Sequence, residues 1–295
     1  MAYADDAAVL AVDIGGTKLA SAIIDTSGRV HCEASVPTAG DGPEGLFATL
    51  VGLIDRVRSA APVDPVAVGV GCGGPMTPGG TTVSPLNIGQ WRGFPLADRL
   101  REHTGLDAFV DNDAKALALG EGWMGAARGH RHYLAMVVST GVGGGLVLDG
   151  RLLHGSSANA GHIGHVIVDP LGRRCGCGAR GCLEAEASGT AIAAITGAPP
   201  AHADHAVRVR TGRLVGRAVA STVSLLDLPL IVVAGSVALG YGSVFFDAAN
   251  AELERCARLE FTRGARIVPA GCGGHGPLVG AAAVARHALA DPTRG

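Results

Sequence analysis

The chain has 295 residues, 47% of them hydrophobic, with a formal net charge of −2 and a pI near 6.6. That length suits two domains, or one large one, at about 100–200 residues each, and the balanced charge offers no basic face for nucleic acid and no membrane-binding surface. The acidic stretch Met1–Asp6 lacks the basic n-region of a secretory signal, and no unpunctuated apolar run reaches the ~18 residues of a spanning helix, so the expected compartment is the cytoplasm.

Val9 to Asp13 predicts a strand, and Leu19 to Asp25 its hairpin partner. Turn residues from Ala39 to Pro43 precede a helical pattern over Gly45 to Ala60, and Val66 to Val70 is a short buried strand running into the loop Gly71-Cys-Gly-Gly-Pro75. Phe94 to His103 predicts a helix, Ala108 to Val110 a strand, and Ala114 to Trp123 a helix that starts beside Asn112 and Asp113. Tyr133 to Val138 and Gly144 to Leu148 predict strands around a second Gly-rich turn. Ala187 to Thr196 and Ala206 to Leu226 read as helices, Ile231 to Ala234 as a strand, and Pro277 to Ala290 as a closing helix. Two strand-rich segments, near Val9 and near Tyr133, each end in a polar Gly loop, which predicts two similar α/β halves with a cleft between them.

Three of the seven cysteines, Cys175, Cys177 and Cys182, fall within eight residues, and His165 lies ten residues upstream of the first. Three thiolates and one imidazole complete a closed tetrahedral zinc shell, which leaves no position for water and is therefore structural. Buried free thiols and a disulfide are the competing readings; the odd cysteine count, without a secretory segment, argues against a disulfide framework. His162 and Glu184 flank the ligands and would be held beside them.

The turn Asp13-Ile-Gly15-Gly16-Thr17-Lys18 offers backbone amides, a hydroxyl and an ammonium, all suited to phosphate, and Asp13 suits a magnesium-bound water. Ser139-Thr140-Gly141-Val-Gly143-Gly-Gly145 is a second loop of the same kind. Either alone reads equally as an ordinary hairpin turn; two in corresponding places make a stronger signal. Asp113 has two readings from chemistry alone, a general base at a strand end or a cap for the helix that follows.

Together these motifs resemble the ROK family (repressors, open reading frames and sugar kinases) of the actin-like ATPase superfamily. Asp13 to Lys18 resembles its first phosphate motif, Ser139 to Gly145 its second, Ala234-Gly235-Ser236-Val237 its adenosine loop, and Asn112-Asp113 its sugar-binding and catalytic pair. Gly161-His162-Ile163-Gly164-His165 and Cys175 to Glu184 resemble its zinc signature. The resemblance implies two actin-like (ribonuclease H-like) α/β domains around a central cleft. The smaller would cover 1–113, completed by 277–295; the larger would cover 114–276 and carry the zinc loop 165–184. It implies ATP with Mg²⁺, a structural Zn²⁺, a homodimer, and transfer of a phosphoryl group to the 6-hydroxyl of a hexose or N-acylhexosamine. Asp113 becomes the base, and Gly73, Gly74, Asn87, Asn112, His162, His165 and Glu184 the sugar contacts.

Two departures bear on the sugar. Many glucokinases of the family carry Glu where this chain has His162, and the family's bacterial N-acetylmannosamine kinases share the Gly-His-Ile-Gly-His arrangement, so N-acetylmannosamine is expected ahead of glucose. Lys115 replaces a small or amide residue and is expected to point to solvent. A transcriptional regulator of the family would need a DNA-binding segment before Asp13, and a sugar sensor without catalysis would have no use for Asp113 and both phosphate loops.

Overall fold

The computed structural model describes residues 7–290; the acidic stretch Met1–Asp6 and residues 291–295 of the expected closing helix lie outside them. The described residues form two compact units, one made of 7–124, 154–159 and 272–290, the other of Gly125–Leu153 and Ala160–Gly271.

The first unit contains β1 (Ala8–Ile14), β2 (Lys18–Ile24), β3 (Val30–Pro37), α1 (Gly42–Ala60), β4 (Pro65–Cys72), α2 (Leu96–Thr104), β5 (Asp107–Asn112), α3 (Asp113–Met124) and the closing helix Gly276–Ala290. Its sheet runs β3-β2-β1-β4-β5, with the β1–β2 and β2–β3 pairs antiparallel and the β1–β4 and β4–β5 pairs parallel. Alternate side chains of a strand face opposite ways. Leu10 and Val12 of β1 therefore join Leu46, Leu50 and Ile54 of α1 in one core, while Val9 and Ala11 join Ala281, Ala282 and Ala285 of the closing helix in another. Burial on both faces is why β1 reads as a continuous apolar run. Parallel pairing brings Ile14, Cys72 and Asn112 side by side, so the three strands deliver their following loops to one sheet edge.

The boundary expected after Asp113 falls after Met124. The reason is α3, whose backbone approaches the closing helix so closely that a Cβ on Gly120 would lie 2.9 Å from Gly280.

The second unit contains β6 (Tyr133–Val138), β7 (Val142–Leu148), β8 (Arg151–Leu152), α4 (Leu183–Ala187), α5 (Gly189–Thr196), α6 (His205–Leu226), β9 (Leu230–Ala234), α7 (Ser236–Tyr241), α8 (Ser243–Cys256) and β10 (Arg266–Pro269). Its sheet runs β10-β9-β6-β7-β8, again with an antiparallel hairpin, β6–β7, and parallel neighbours, β9 and β10. Leu134, Met136, Ile231 and Val233 of the sheet pack with Val215 and Val219 of α6 and Phe245, Ala249 and Leu253 of α8. No helix among the described residues is long and apolar enough to cross a membrane.

Candidate active site and metal centre

The first unit gathers acidic groups at its sheet edge. Asp13 stands near the end of β1, opposite Gly71 in the ladder, and Asp113 opens α3 directly after β5. Gly71 is the floor between them: a Cβ there would sit 3.9 Å from both Asp13 Oδ1 and the Asp113 Cα. Burial pushes the Asp13 carboxyl up from 3.8 to about 6, the negative charge of Asp113 pushes the same way, and Lys18 opposes both. Burial, reinforced by the charges of Asp113 and Asp13, also raises the thiol of Cys72.

Asn112 and Asp113 both reach the start of α3. Asn112 Oδ1 accepts from the Ala114 amide at 3.0 Å and Asp113 Oδ1 accepts from the same amide at 2.8 Å. Capping and an exposed carboxylate are thus compatible, since Asp113 is solvent-exposed. The backbone of Gly74 lies against Asn112, with the ideal Cβ 3.4 Å from Nδ2. The first hairpin turn closes through Gly15 N donating to Lys18 O at 3.0 Å, and Thr38 Oγ1 holds the Gly15 carbonyl at 2.7 Å. Asn87 sits over this turn, its Cβ 2.8 Å from where a Cβ on Gly16 would be, while Thr17 and Lys18 are exposed.

Lys115 does not point to solvent as expected. It is 2% exposed, and Nζ donates to Ala158 O at 2.7 Å with Asp111 Oδ1 3.7 Å away. A buried ammonium requires such partners, and the segment His154–Asn159 supplies the carbonyl.

In the second unit the β6–β7 turn carries Ser139, Thr140 and Gly141, whereas Gly143 lies within the ladder opposite Val137. Ser139 Oγ is 3.0 Å from Ser236 Oγ at the start of α7, which joins the turn to the Gly235-Ser236 loop. The Glu184 carboxylate engages the β6–β7 turn: Oε2 accepts from Val142 N at 2.9 Å, and a Cβ on Gly141 would stand 2.9 Å from the same oxygen. His162 is exposed, its ring centroid 6.0 Å from that of His165.

His165, Cys175, Cys177 and Cys182 place their ligand atoms within 4.8 Å of one another. Bonds of about 2.3 Å to sulfur and 2.0 Å to nitrogen make a tetrahedron with edges of roughly 3.8 Å between sulfurs and 3.5 Å between sulfur and nitrogen. The observed Cys177 Sγ–Cys182 Sγ separation is 3.7 Å and the His165 Nδ1–Cys175 Sγ separation 3.6 Å, so the donor set fits that ion in kind and in spacing. Burial and the neighbouring thiols push Cys182 up to about 12, whereas the Ala179 backbone and the adjacent thiols pull Cys177 below the usual thiol range.

A profile of the ROK family matches residues 9–288. The chain belongs to the ROK family. It is 39% identical over 250 residues to an N-acetylmannosamine kinase of Citrobacter koseri, spanning 79% of this chain and 84% of that one. Among solved structures it is similar to a ROK hexokinase from Thermus thermophilus, with a TM-score of 0.82 and 33% identity over 96% of this chain and 99% of that chain. A ROK family glucokinase from Streptomyces griseus, solved with glucose and AMPPNP, gives a TM-score of 0.79 and 31% identity over 95% of this chain and 99% of that chain.

This ROK chain also uses residues that motif reading does not single out. Glu186 is 2% exposed; its Oε1 accepts from Arg173 N at 2.6 Å, its Oε2 pairs with Arg210, and its carbonyl takes a second bond from Arg210 at 2.9 Å. It thereby fixes the start of the cysteine loop to α6. On the same short helix α4, Glu184 grips the β6–β7 turn. The alternation Glu184-Ala-Glu186 was the available signal, but the partners lie 42 and 24 residues away.

Proposed function

We propose that this ROK chain is a kinase transferring the γ-phosphoryl group of ATP to the 6-hydroxyl of a hexose or N-acylhexosamine, with N-acetylmannosamine the foremost acceptor. The observation that carries the reading is the sheet edge of the first unit, where Asp13 and Asp113 flank Gly71, in a family whose members named above are sugar kinases. Asp113 takes the proton of the 6-hydroxyl as that oxygen bonds to the γ-phosphorus. The bond from phosphorus to the bridging oxygen breaks, and its electron pair leaves with ADP.

Little covalent work falls to the protein, so positioning and charge carry the rate. Lys18, Thr17 and the Gly16 amide face one phosphate group beside Gly15, whose own amide closes the turn on Lys18 O, and Ser139, Thr140, Gly141 and Gly143 face another. Gly235 and Ser236 hold the adenosine. Mg²⁺ arriving with ATP would neutralise phosphate charge, and Asp13, disfavoured as an unpaired anion by its burial, is the residue that would hold its water. Asn112, Gly73, Gly74, Asn87 and His162 hold the sugar. Glu184 acts through Oε1, because Oε2 is engaged by Val142. His165 acts through Nε2, because Nδ1 faces the cysteines. Zn²⁺ on His165, Cys175, Cys177 and Cys182 is structural in this reading. The working form is a cytoplasmic homodimer with small-molecule partners only.

A coupled assay of ADP release over glucose, mannose, N-acetylglucosamine and N-acetylmannosamine tests the proposal. The highest kcat/KM should fall to N-acetylmannosamine. Highest activity on glucose would select the second reading, an ATP-dependent glucokinase, which the Streptomyces griseus neighbour favours. ADP release with none of the four would sink both.

A further inference from the structure

The β6–β7 turn is held from behind by a single stretch of chain. Gly189 N donates to Ser139 O at 2.6 Å, Thr190 N to Thr140 O at 3.3 Å, and Thr190 Oγ1 to the same Thr140 oxygen at 3.0 Å. Gly189 and Thr190 are themselves fixed, because Ser188 caps α5 by accepting from Ala191 N at 3.1 Å, and Ser188 N donates to Glu184 O at 3.2 Å. A trans peptide is planar, and its carbonyl and amide point in opposite directions. Pinning the carbonyls of Ser139 and Thr140 toward α5 therefore turns the amides of Thr140 and Gly141 away from it. Two successive amides aimed to the same side form an anion-binding nest.

We propose that Thr190 is a positioning residue for the phosphoryl donor: its hydroxyl fixes the Thr140–Gly141 peptide plane and so aims the turn's amides at the donor phosphates. This rests on the kinase reading of the turn. Thr190 is exposed and belongs to none of the phosphate, sugar or metal motifs, and its effect passes entirely through Thr140. Without the hydroxyl the plane keeps only the longer 3.3 Å amide bond and gains freedom to rotate. That freedom must be lost again when phosphate binds, so the loss appears in donor affinity and leaves the sugar contacts untouched.

Thr190→Val removes the hydroxyl at nearly constant shape; Thr190→Ser keeps it. Calorimetry with Mg-AMPPNP, together with KM for ATP and for the preferred sugar, should show donor affinity weakened about 3- to 10-fold in the valine variant, as for one neutral hydrogen bond. The sugar KM and the melting temperature should stay at wild-type values, and serine should restore donor affinity. Equal donor affinity in wild type and valine variant overturns the assignment, as does a matched loss of donor and sugar affinity with a lowered melting temperature, which would mark a merely structural role. Wild-type protein that fails to bind Mg-AMPPNP would instead overturn the kinase reading and this proposal with it.

Discussion

The two units repeat one plan, an antiparallel hairpin whose first strand continues into parallel neighbours, yet they furnish the corresponding turns differently. The β1–β2 turn lies between charged groups, with Asp13, Lys18 and Asp113 near it. The β6–β7 turn lies among hydroxyls and backbone groups, and the nearest carboxylate, Glu184, is engaged by a backbone amide. The fold supplies a turn in both places; its neighbours decide whether that turn is lined by charge or by neutral hydroxyls and amides. On the kinase reading proposed above, the proton transfer falls to the first unit, and the second contributes the geometry of its turn and the His162 contact.

The hardest blow to that division comes from Asp113. Asp113→Asn keeps the hydrogen-bonding shape at the start of α3 but removes the base, so turnover should fall by at least ~10²-fold while calorimetry shows sugar and Mg-AMPPNP still bound. Near-normal turnover would leave Asp113 as a helix cap and move the chemistry elsewhere. The His165–Cys175–Cys177–Cys182 cluster tests the geometric half. Protein purified without added zinc should contain about one zinc per chain, and Cys177→Ser should lose it and lower the melting temperature, because coordination energy is folding energy. Fully active protein free of zinc would detach the cluster from the site.

Giving the neutral side a charge sharpens the contrast further. His162→Glu adds a two-oxygen acceptor suited to paired ring hydroxyls. The ratio of kcat/KM for glucose to that for N-acetylmannosamine should rise about tenfold, the worth of one good polar contact. If both values fall together at constant ratio, His162 supports the site without choosing the sugar.

The smallest effect is on stability. The carboxyl of Asp13 titrates at about 6 in the folded chain against an ordinary 3.8, so between those values the folded state holds more protons than the unfolded one. Stability contributed by the protonated form is therefore lost as pH rises through that window. In nucleotide-free protein, Asp13→Asn should melt higher than wild type above about pH 6, with the gain vanishing below about pH 4. A gain independent of pH would mean that the substitution acts through packing alone.

Much of this was legible because it is local. Val9 to Asp13 announces a strand buried on both faces, α6 shows its helical period, and the four candidate metal ligands lie within eighteen residues of sequence. What escaped depends on distant partners. Lys115 sits between two alanines, and nothing there reveals that its carbonyl partner, Ala158, comes 43 residues later. The boundary after Met124 is set by the closing helix, more than a hundred residues downstream. The start of helix α8 is masked in sequence by Gly240 and Gly242 just before it, although Phe245, Ala249 and Leu253 repeat at the spacing of one helical face.

The closing helix has a consequence for how the chain is made. It supplies Leu278, Ala281, Ala282 and Ala285 to one face of the first sheet, and Gly69 passes so near it that a Cβ there would stand 2.1 Å from Ala281 O. Strands β1 to β5 leave the ribosome long before that cover exists. At about 5–20 residues per second, the roughly 160 residues between Asn112 and Gly276 take on the order of 10–30 seconds to synthesise. Throughout that interval Val9, Ala11 and Ala67 lack the helix that buries them, and the nascent sheet offers an apolar face to chaperones or to other unfinished chains.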